Sequence, residues 1–162
     1  MHPLALLQSL VLLTLANGTP VVAKKVLGAR LAWPLDGGAN FLDGRPVFGR
    51  SKTLRGIALS VLVTAAGAPL LGLGPAIGAL AGGATMAGDL FSSFCKRRLA
   101  MPPSSRATGL DQIPEALFPL LACRGALSLS VADIGIGVVI FTFGEIIASR
   151  LLYRWHLRDR PY

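Results

Sequence analysis

The sequence has few charged residues, few aromatic residues and almost no cysteine or histidine. Charged side chains make up only 15% of the chain, whereas a soluble domain has about a quarter. This scarcity of charge argues against a soluble protein, and so against a soluble nucleic-acid binder, despite a net charge of +8. The only two cysteines, Cys95 and Cys123, provide no disulfide framework. The only two histidines, His2 and His156, lie close to the ends of the chain, and neither suits a catalytic role.

Apolar runs and small residues dominate what remains. Hydrophobic residues make up 52% of the 162 residues, and 19 residues are glycine, which lets helix backbones approach closely in lipid. We therefore predict an all-α integral membrane protein, one multi-pass domain over residues 1–162 with about five transmembrane helices. The predicted spans are 3–23, 57–71, 73–94, 112–127 and 131–153. Two long polar loops, 24–56 and 96–111, connect them.

The basic residues predict how the chain lies in the membrane. Loop 24–56 holds seven of the sixteen Lys and Arg residues, loop 96–111 holds four and the C-terminal tail holds four. Five spans place all three regions on one side of the bilayer, and basic loops mark the cytoplasmic side. We expect the N-terminus outside and both loops and the C-terminus in the cytoplasm.

A polar face interrupts the third apolar run. Asp89 lies near the cytoplasmic end of that span, where a carboxylate at bilayer depth is costly and usually faces a polar cavity. Ser92, Ser93 and Lys96 follow at three, four and seven residues, so all four share one face of a helix. An acid spaced by helical turns from a lysine within a membrane segment indicates a functional site.

A second acidic residue can reach this face. Pro102 and Pro103 end the helix because proline cannot continue its hydrogen-bond ladder, and Asp111 opens the next span. If the chain folds back, the two carboxylates of Asp89 and Asp111 meet beside basic side chains. Mg²⁺ prefers a few carboxylates plus phosphate oxygens, and Lys and Arg complement phosphate charge. Each residue alone also has a structural explanation: Asp111 as a helix N-cap, and the basic cluster as positive-inside residues.

The same stretch resembles a known family. GDLFSSFCKRR followed by GLDQIPE, together with LDGRPVFGRSKTLRG in the first loop, is similar to the CDP-archaeol synthase family over roughly 30–155. A more distant similarity is to the C-terminal half of bacterial phosphatidate cytidylyltransferases. Cys95 replaces the usual aliphatic residue before the Lys-Arg pair. The lysine-aspartate and His-Gly-Gly elements of the phosphatidate enzymes are absent, which favours the archaeal-type branch.

The resemblance implies a CTP-dependent cytidylyltransferase that makes a CDP-lipid from a membrane lipid phosphate and releases pyrophosphate. Asp89 and Asp111 would hold Mg²⁺, and Lys96 would be catalytic beside them. The substrate-binding residues that we predict are Lys52, Arg55, Ser92, Ser93, Arg97, Arg106 and Gln112. The expected partners are CTP, the lipid phosphate, which is 2,3-di-O-geranylgeranylglycerol phosphate or a related glycerolipid phosphate, and the bilayer, with no nucleic acid.

Two alternatives compete with this interpretation. One is a non-enzymatic membrane binding or transport protein with basic loops. The other is a CDP-alcohol phosphotransferase, which needs acidic residues spaced by threes and fours; neither Asp36-Gly37 nor Asp43-Gly44 begins such a run.

Overall fold

In the structure, a computed structural model, the regular secondary structure of the described residues is helical, and loop 28–53 adds only two isolated β-bridges. It describes residues 1–102, 105 and 107–154, without the side chain of Leu152. Arg106, predicted to bind substrate, lies outside these residues. The helices are α1 (Pro3–Leu27), α2 (Leu54–Gly67), α3 (Pro75–Arg98), α4 (Gln112–Ala122) and α5 (Val131–Arg154). This confirms the predicted all-α class.

Local sequence explains where the helices begin and turn. α1 and α3 start at prolines, which need no backbone donor in the first turn. The Thr53 hydroxyl caps α2 by accepting the Gly56 N–H at 3.2 Å. A 3₁₀ turn at Ala68–Leu71 and the left-handed Gly72, with φ of 73°, reverse the chain between α2 and α3.

Small residues bring neighbouring helices into close contact. A Cβ added at Gly78 would lie 2.2 Å from the Thr64 carbonyl oxygen of α2. One added at Gly88 would lie 2.2 Å from the Pro114 carbonyl oxygen of α4. α3 can therefore pack against α2 and α4 at backbone distance only because these positions have no side chain.

Within the described part of the chain, three helices are long and apolar enough to cross a membrane: Pro3–Leu27, Leu54–Leu71 and Val131–Leu151. α3 differs from these three helices because its second half carries four charged residues. α4 has only 11 residues, about 16 Å of helix, whereas the hydrocarbon core is about 30 Å thick. The chain is a multi-pass membrane protein, and the count of five spans stays a prediction.

Four helix boundaries differ from the predicted spans by three residues or more, with the 3₁₀ turn counted as part of the second span. α2 begins at Leu54 and α3 continues to Arg98, so both helices extend into the predicted loops 24–56 and 96–111. α4 ends at Ala122 rather than near residue 127, and the chain then runs through turns at residues 123–128, where Ser128 is left-handed with φ of 52°. α1 continues to Leu27 and so includes Lys24 and Lys25 in its last turn. The end of the bundle formed by the last turns of α1 and α3 and the first turn of α2 is called the basic end below.

Candidate functional site

An ion pair links the first long loop to α3 at the basic end. The Lys52 ammonium nitrogen lies 2.5 Å and 2.6 Å from the two carboxylate oxygens of Asp89. Lys52 immediately precedes the N-cap of α2, so the start of that helix fixes its backbone. Each of the two side chains is 22% exposed, so the pair is accessible to a ligand.

A second ion pair joins the end of α3 to the start of α4. Lys96 Nζ lies 2.5 Å from Asp111 Oδ1 and also donates to the Ser105 carbonyl at 3.2 Å. The other carboxylate oxygen of Asp111 accepts the Ala107 N–H at 3.0 Å. Asp111 occupies the N-cap position of α4, but its side chain makes no capping hydrogen bond there. Its carboxylate instead holds the α3–α4 connection and the lysine together.

The two ion pairs are electrostatic neighbours. Burial alone would lower the pKa of Lys52, but the carboxylates of Asp89, Glu115 and Asp111 outweigh it and raise that pKa above its ordinary value. Lys96 in turn acts on the Asp89 carboxylate. The fold therefore brings both predicted acids into one charged cluster, with one lysine on each.

Glu115 completes this cluster, although it is not among the site residues predicted from the sequence. It is 7% exposed, and its carboxyl group interacts with that of Asp89. It follows Asp111 by four residues and so lies one helical turn further along α4. The four-residue spacing from Asp111 could have indicated Glu115 as a site residue. Only the packing of α4 on α3 shows that Glu115 turns toward Asp89.

The first loop has a defined shape over the site. The Asp36 carboxylate accepts the backbone N–H groups of Phe48 and Gly49 at 3.0 Å and 2.9 Å, and that of Gly38 at 3.0 Å. Burial opposes ionisation here, but these donors lower the pKa of Asp36 below its ordinary value. The stabilisation of the folded loop by the ionised Asp36 carboxylate is therefore complete above the ordinary pKa of Asp. It is lost only as the pH falls through the lowered pKa of Asp36. Asp36 therefore orders this loop.

Arg98 fastens the same loop to the end of α3. Its guanidinium stacks 4.8 Å from the ring centres of both Phe41 and Phe94, and it pairs with Asp43 at 3.0 Å. It also donates to the Pro46 carbonyl at 2.6 Å. Asp43 therefore helps to order the loop, and Arg98 is a loop anchor that was not predicted from the sequence.

Comparison with known proteins identifies the family. No protein-family model matches the chain. A CDP-archaeol synthase of Pyrobaculum calidifontis is 34% identical over 156 residues, which cover 91% of this chain and 90% of that protein. One of Thermococcus onnurineus is 36% identical over 158 residues, covering 91% and 89%. The chain belongs to the CDP-archaeol synthase family. The family predicted from its motifs is thus confirmed, and the non-enzymatic alternative is not favoured.

A solved structure supports the same grouping. An intramembrane enzyme for archaeal membrane lipid biosynthesis is 26% identical, with a TM-score of 0.66 over 85% of this chain and 90% of that one. The fold of this CDP-archaeol synthase family member is therefore that of a membrane enzyme.

The other residues predicted to bind substrate divide into two groups in this family member. Arg97 is buried beside the site, donates to the Pro102 carbonyl at 3.1 Å and lies next to Gly49. Arg55 donates to the carbonyls of Gly28 and Arg30, so here it ties the start of α2 to the end of α1.

The predicted serines and glutamine are all buried. The Ser92 hydroxyl donates to the Gly88 carbonyl at 2.7 Å, and Ser93 is 3% exposed. The Gln112 amide oxygen accepts the Gly109 N–H at 2.9 Å. Substrate contact by these three residues and by Arg55 stays a prediction, and the contacts seen here are structural.

The donor set fits one divalent cation that also has phosphate ligands. Among the described residues, no group of three or more His, Cys, Asp or Glu side chains is arranged as a ready-made metal site. Mg²⁺ commonly binds through one or two carboxylates plus substrate phosphates and water. Asp89 and Asp111 are two carboxylates of this kind, each now neutralised by a lysine.

Proposed function

We propose that this protein transfers CMP from CTP to a membrane lipid phosphate and releases pyrophosphate. The acceptor is 2,3-di-O-geranylgeranylglycerol phosphate or a related glycerolipid phosphate, and the product is a CDP-lipid for phospholipid synthesis. The observation that carries the proposal is the cluster of two lysine–carboxylate pairs at the basic end of a membrane bundle. Family membership supports the nucleotide and the type of lipid.

The reaction needs positioning and charge neutralisation rather than a general base. An oxygen of the lipid phosphate attacks the α-phosphorus of CTP, a new oxygen–phosphorus bond forms, and the bond to the β-phosphate oxygen breaks. The attacking phosphate is already anionic, so no proton has to be removed from it. This is consistent with a site built from carboxylates and lysines.

Asp89 and Asp111 would hold Mg²⁺, which would neutralise charge on the phosphates that it contacts. Lys52 and Lys96 would exchange their carboxylate partners for phosphate oxygens of CTP. Arg97 lies beside them to receive charge on the departing pyrophosphate. Lys52 keeps its ammonium charged through the working pH range because its pKa is raised.

The basic end would face the cytoplasm, where CTP is available. It combines Lys24 and Lys25, loop 28–53 and the cluster Lys96, Arg97 and Arg98. The N-terminus would then lie outside, in accordance with the positive-inside rule.

The defining experiment uses the full chain purified in detergent with CTP, Mg²⁺ and a panel of ether- and ester-linked lipid phosphates. We expect a CDP-lipid by mass spectrometry, lost on chelation of divalent metal and restored by Mg²⁺. Asp89→Asn and Asp111→Asn should each lower the rate by about 100-fold or more, the range found when one charge-stabilising group is removed.

Asp133→Asn is the matched control. Asp133 lies at the other end of the bundle, where it accepts hydrogen bonds from Ser130 and the His2 N–H. Its amide can retain part of these contacts, so the rate should stay near that of the parent protein. Absence of any CDP-lipid, or equal rates in all three variants, would refute the assignment.

A further inference from the structure

A groove opens between α1 and α5, on a part of the bundle that the proposed chemistry does not use. Its volume is about 600 Å³, within the range typical of sites for organic ligands. Its lining includes Asn17, Val21 and Lys25 of α1 and Phe141, Glu145 and Ser149 of α5.

The groove exists because these two helices touch at one end and separate at the other. Away from the basic end, the His2 N–H donates to Asp133 Oδ1 at 3.2 Å, and Leu6 lies directly against Gly137. Toward the basic end, two glycines, Gly18 and Gly144, line the space between the helices, and neither has a neighbouring atom within 4 Å of where a Cβ would lie.

The groove lies at the depth of the charged cluster and next to it. Pro20 packs against Gly56, which lies in the first turn of α2 just after Lys52. Across the bundle, the carboxyl group of Glu145 interacts electrostatically with that of Glu115, which in turn interacts with Asp89. A ligand in the groove would thus have one end beside the reacting groups.

The lining suits a mostly apolar ligand that has a polar oxygen beside Asn17. Most of the wall is apolar, but the Asn17 side-chain Nδ2 is buried and has no hydrogen-bond partner among the described residues. An unsatisfied buried donor is costly, and more so at bilayer depth, so an acceptor from a ligand would stabilise it. Lys25 adds a positive charge at the basic end, complementary to a phosphate.

We propose that this groove holds one hydrocarbon chain of the lipid-phosphate substrate, with Asn17 donating to an oxygen of its glycerol unit. The inference rests on the proposed function, because it names the place where that substrate's chain lies. Lipid tails are as apolar as the groove wall, so the chain gains little free energy on leaving the bilayer. The groove therefore adds little to the affinity for the lipid. It aligns the lipid phosphate with CTP and discriminates between lipids by their hydrocarbon chain.

The test fills the groove without disturbing helix packing. Gly144→Phe places a ring in the groove, and Gly135→Phe is the control, since Gly135 lies on the same helix, is open around its Cβ and does not line the cavity. A lipid phosphate with a photoreactive diazirine in one chain is irradiated with each variant in nanodiscs, and labelled peptides are mapped. We expect the label on α1 and α5 in the parent protein and in Gly135→Phe. In Gly144→Phe, the labelling of these two helices should fall by about tenfold or more.

Chain length supplies a second measurement. With a long-chain lipid phosphate, Gly144→Phe should lower kcat/KM by about tenfold or more, because a displaced phosphate no longer meets CTP in line. With a lipid phosphate whose chains are too short to enter the groove, Gly144→Phe and Gly135→Phe should have equal rates. An equal loss with both chain lengths, or labelling elsewhere on the protein, would overturn the groove assignment.

Two controls distinguish a bound substrate chain from bulk lipid and from a second copy of the protein. Equal labelling by a photoreactive lipid without a phosphate monoester would mean that bulk lipid fills the groove, and loss of labelling on dimer formation would mean that a second copy covers it; either result overturns the proposal. If the parent protein makes no CDP-lipid, the proposed function fails, yet phosphate-dependent labelling still decides whether the groove binds the lipid.

Discussion

At the scale of single residues, the lysines take the place that the proposed reaction gives to a divalent cation. Lys52 contacts both oxygens of Asp89, and Lys96 contacts Asp111, so the two carboxylates are neutralised before any ligand arrives. A divalent cation alone must compete with these ammonium groups. A cation that arrives with CTP offers the lysines phosphate oxygens in exchange. Metal and nucleotide should therefore bind with positive cooperativity.

Lys52→Met tests this exchange by removing the ammonium but keeping most of the side-chain volume. Mn²⁺ alone, followed by electron paramagnetic resonance, should bind the variant about tenfold more tightly, because a nearby positive charge no longer opposes it. CTP should bind more weakly, because one phosphate contact is lost. Lys24→Met, in the last turn of α1, should change neither affinity. Unchanged Mn²⁺ binding in Lys52→Met would show that the ion pair does not compete with metal.

At the scale of helices, the site depends on how closely α3 and α4 approach. Gly88 precedes Asp89 and faces the carbonyl of Pro114, while Glu115 follows that proline and reaches Asp89. The glycine thus sets the distance between the two helices that carry the acids. The sequence indicated that glycines would serve packing, but it did not indicate which glycine lies beside the site.

Gly88→Ala should destabilise the protein, because the new Cβ would lie 2.2 Å from a backbone oxygen that cannot move aside. We expect a loss of about 1–3 kcal/mol, typical of overpacking, seen as a lower midpoint of thermal unfolding in detergent, together with a lower rate. Gly83→Ala, on the same helix with open space around it, should be neutral or stabilising because alanine favours helix by up to about 1 kcal/mol. Equal midpoints for the two variants would contradict the close α3–α4 contact at Gly88.

At the scale of the whole molecule, charge sorts the two ends of the bundle. The basic end carries both lysines of α1 and the Lys-Arg-Arg cluster of α3, while the turn between α4 and α5 carries only Arg124. An asymmetry of this kind favours one orientation in the membrane, with the basic end in the cytoplasm.

Labelling of single cysteines measures that orientation. In a background with Cys95→Ser and Cys123→Ser, Asn40→Cys in the first loop should react with a membrane-impermeant maleimide only after the cells are opened. Ala126→Cys, exposed in the α4–α5 turn, should react in intact cells. The reverse pattern would place the site outside and remove its access to CTP.

The sequence by itself determined the helices, their apolar composition, the family and the identity of most charged groups at the site. These properties are local: a run of apolar residues predicts a membrane helix, and the seven-residue interval from Asp89 to Lys96 places both on one helical face. Even the ordered conformation of the first loop was partly predictable. Asp36 and Asp43 lie in turns, and their carboxylates accept hydrogen bonds from backbone N–H groups of the same turns.

Only the tertiary structure decided which charges meet. Lys52 and Asp89 are 37 residues apart, and Lys96, the lysine on the same helix as Asp89, pairs instead with Asp111 of the next element. The burial of Glu115 against Asp89 and the groove between α1 and α5 likewise depend on how helices rotate and cross. The physical reason is that helix packing sums small contacts along whole faces, set here by glycines, whereas sequence periodicity specifies a face but not the partner that it meets.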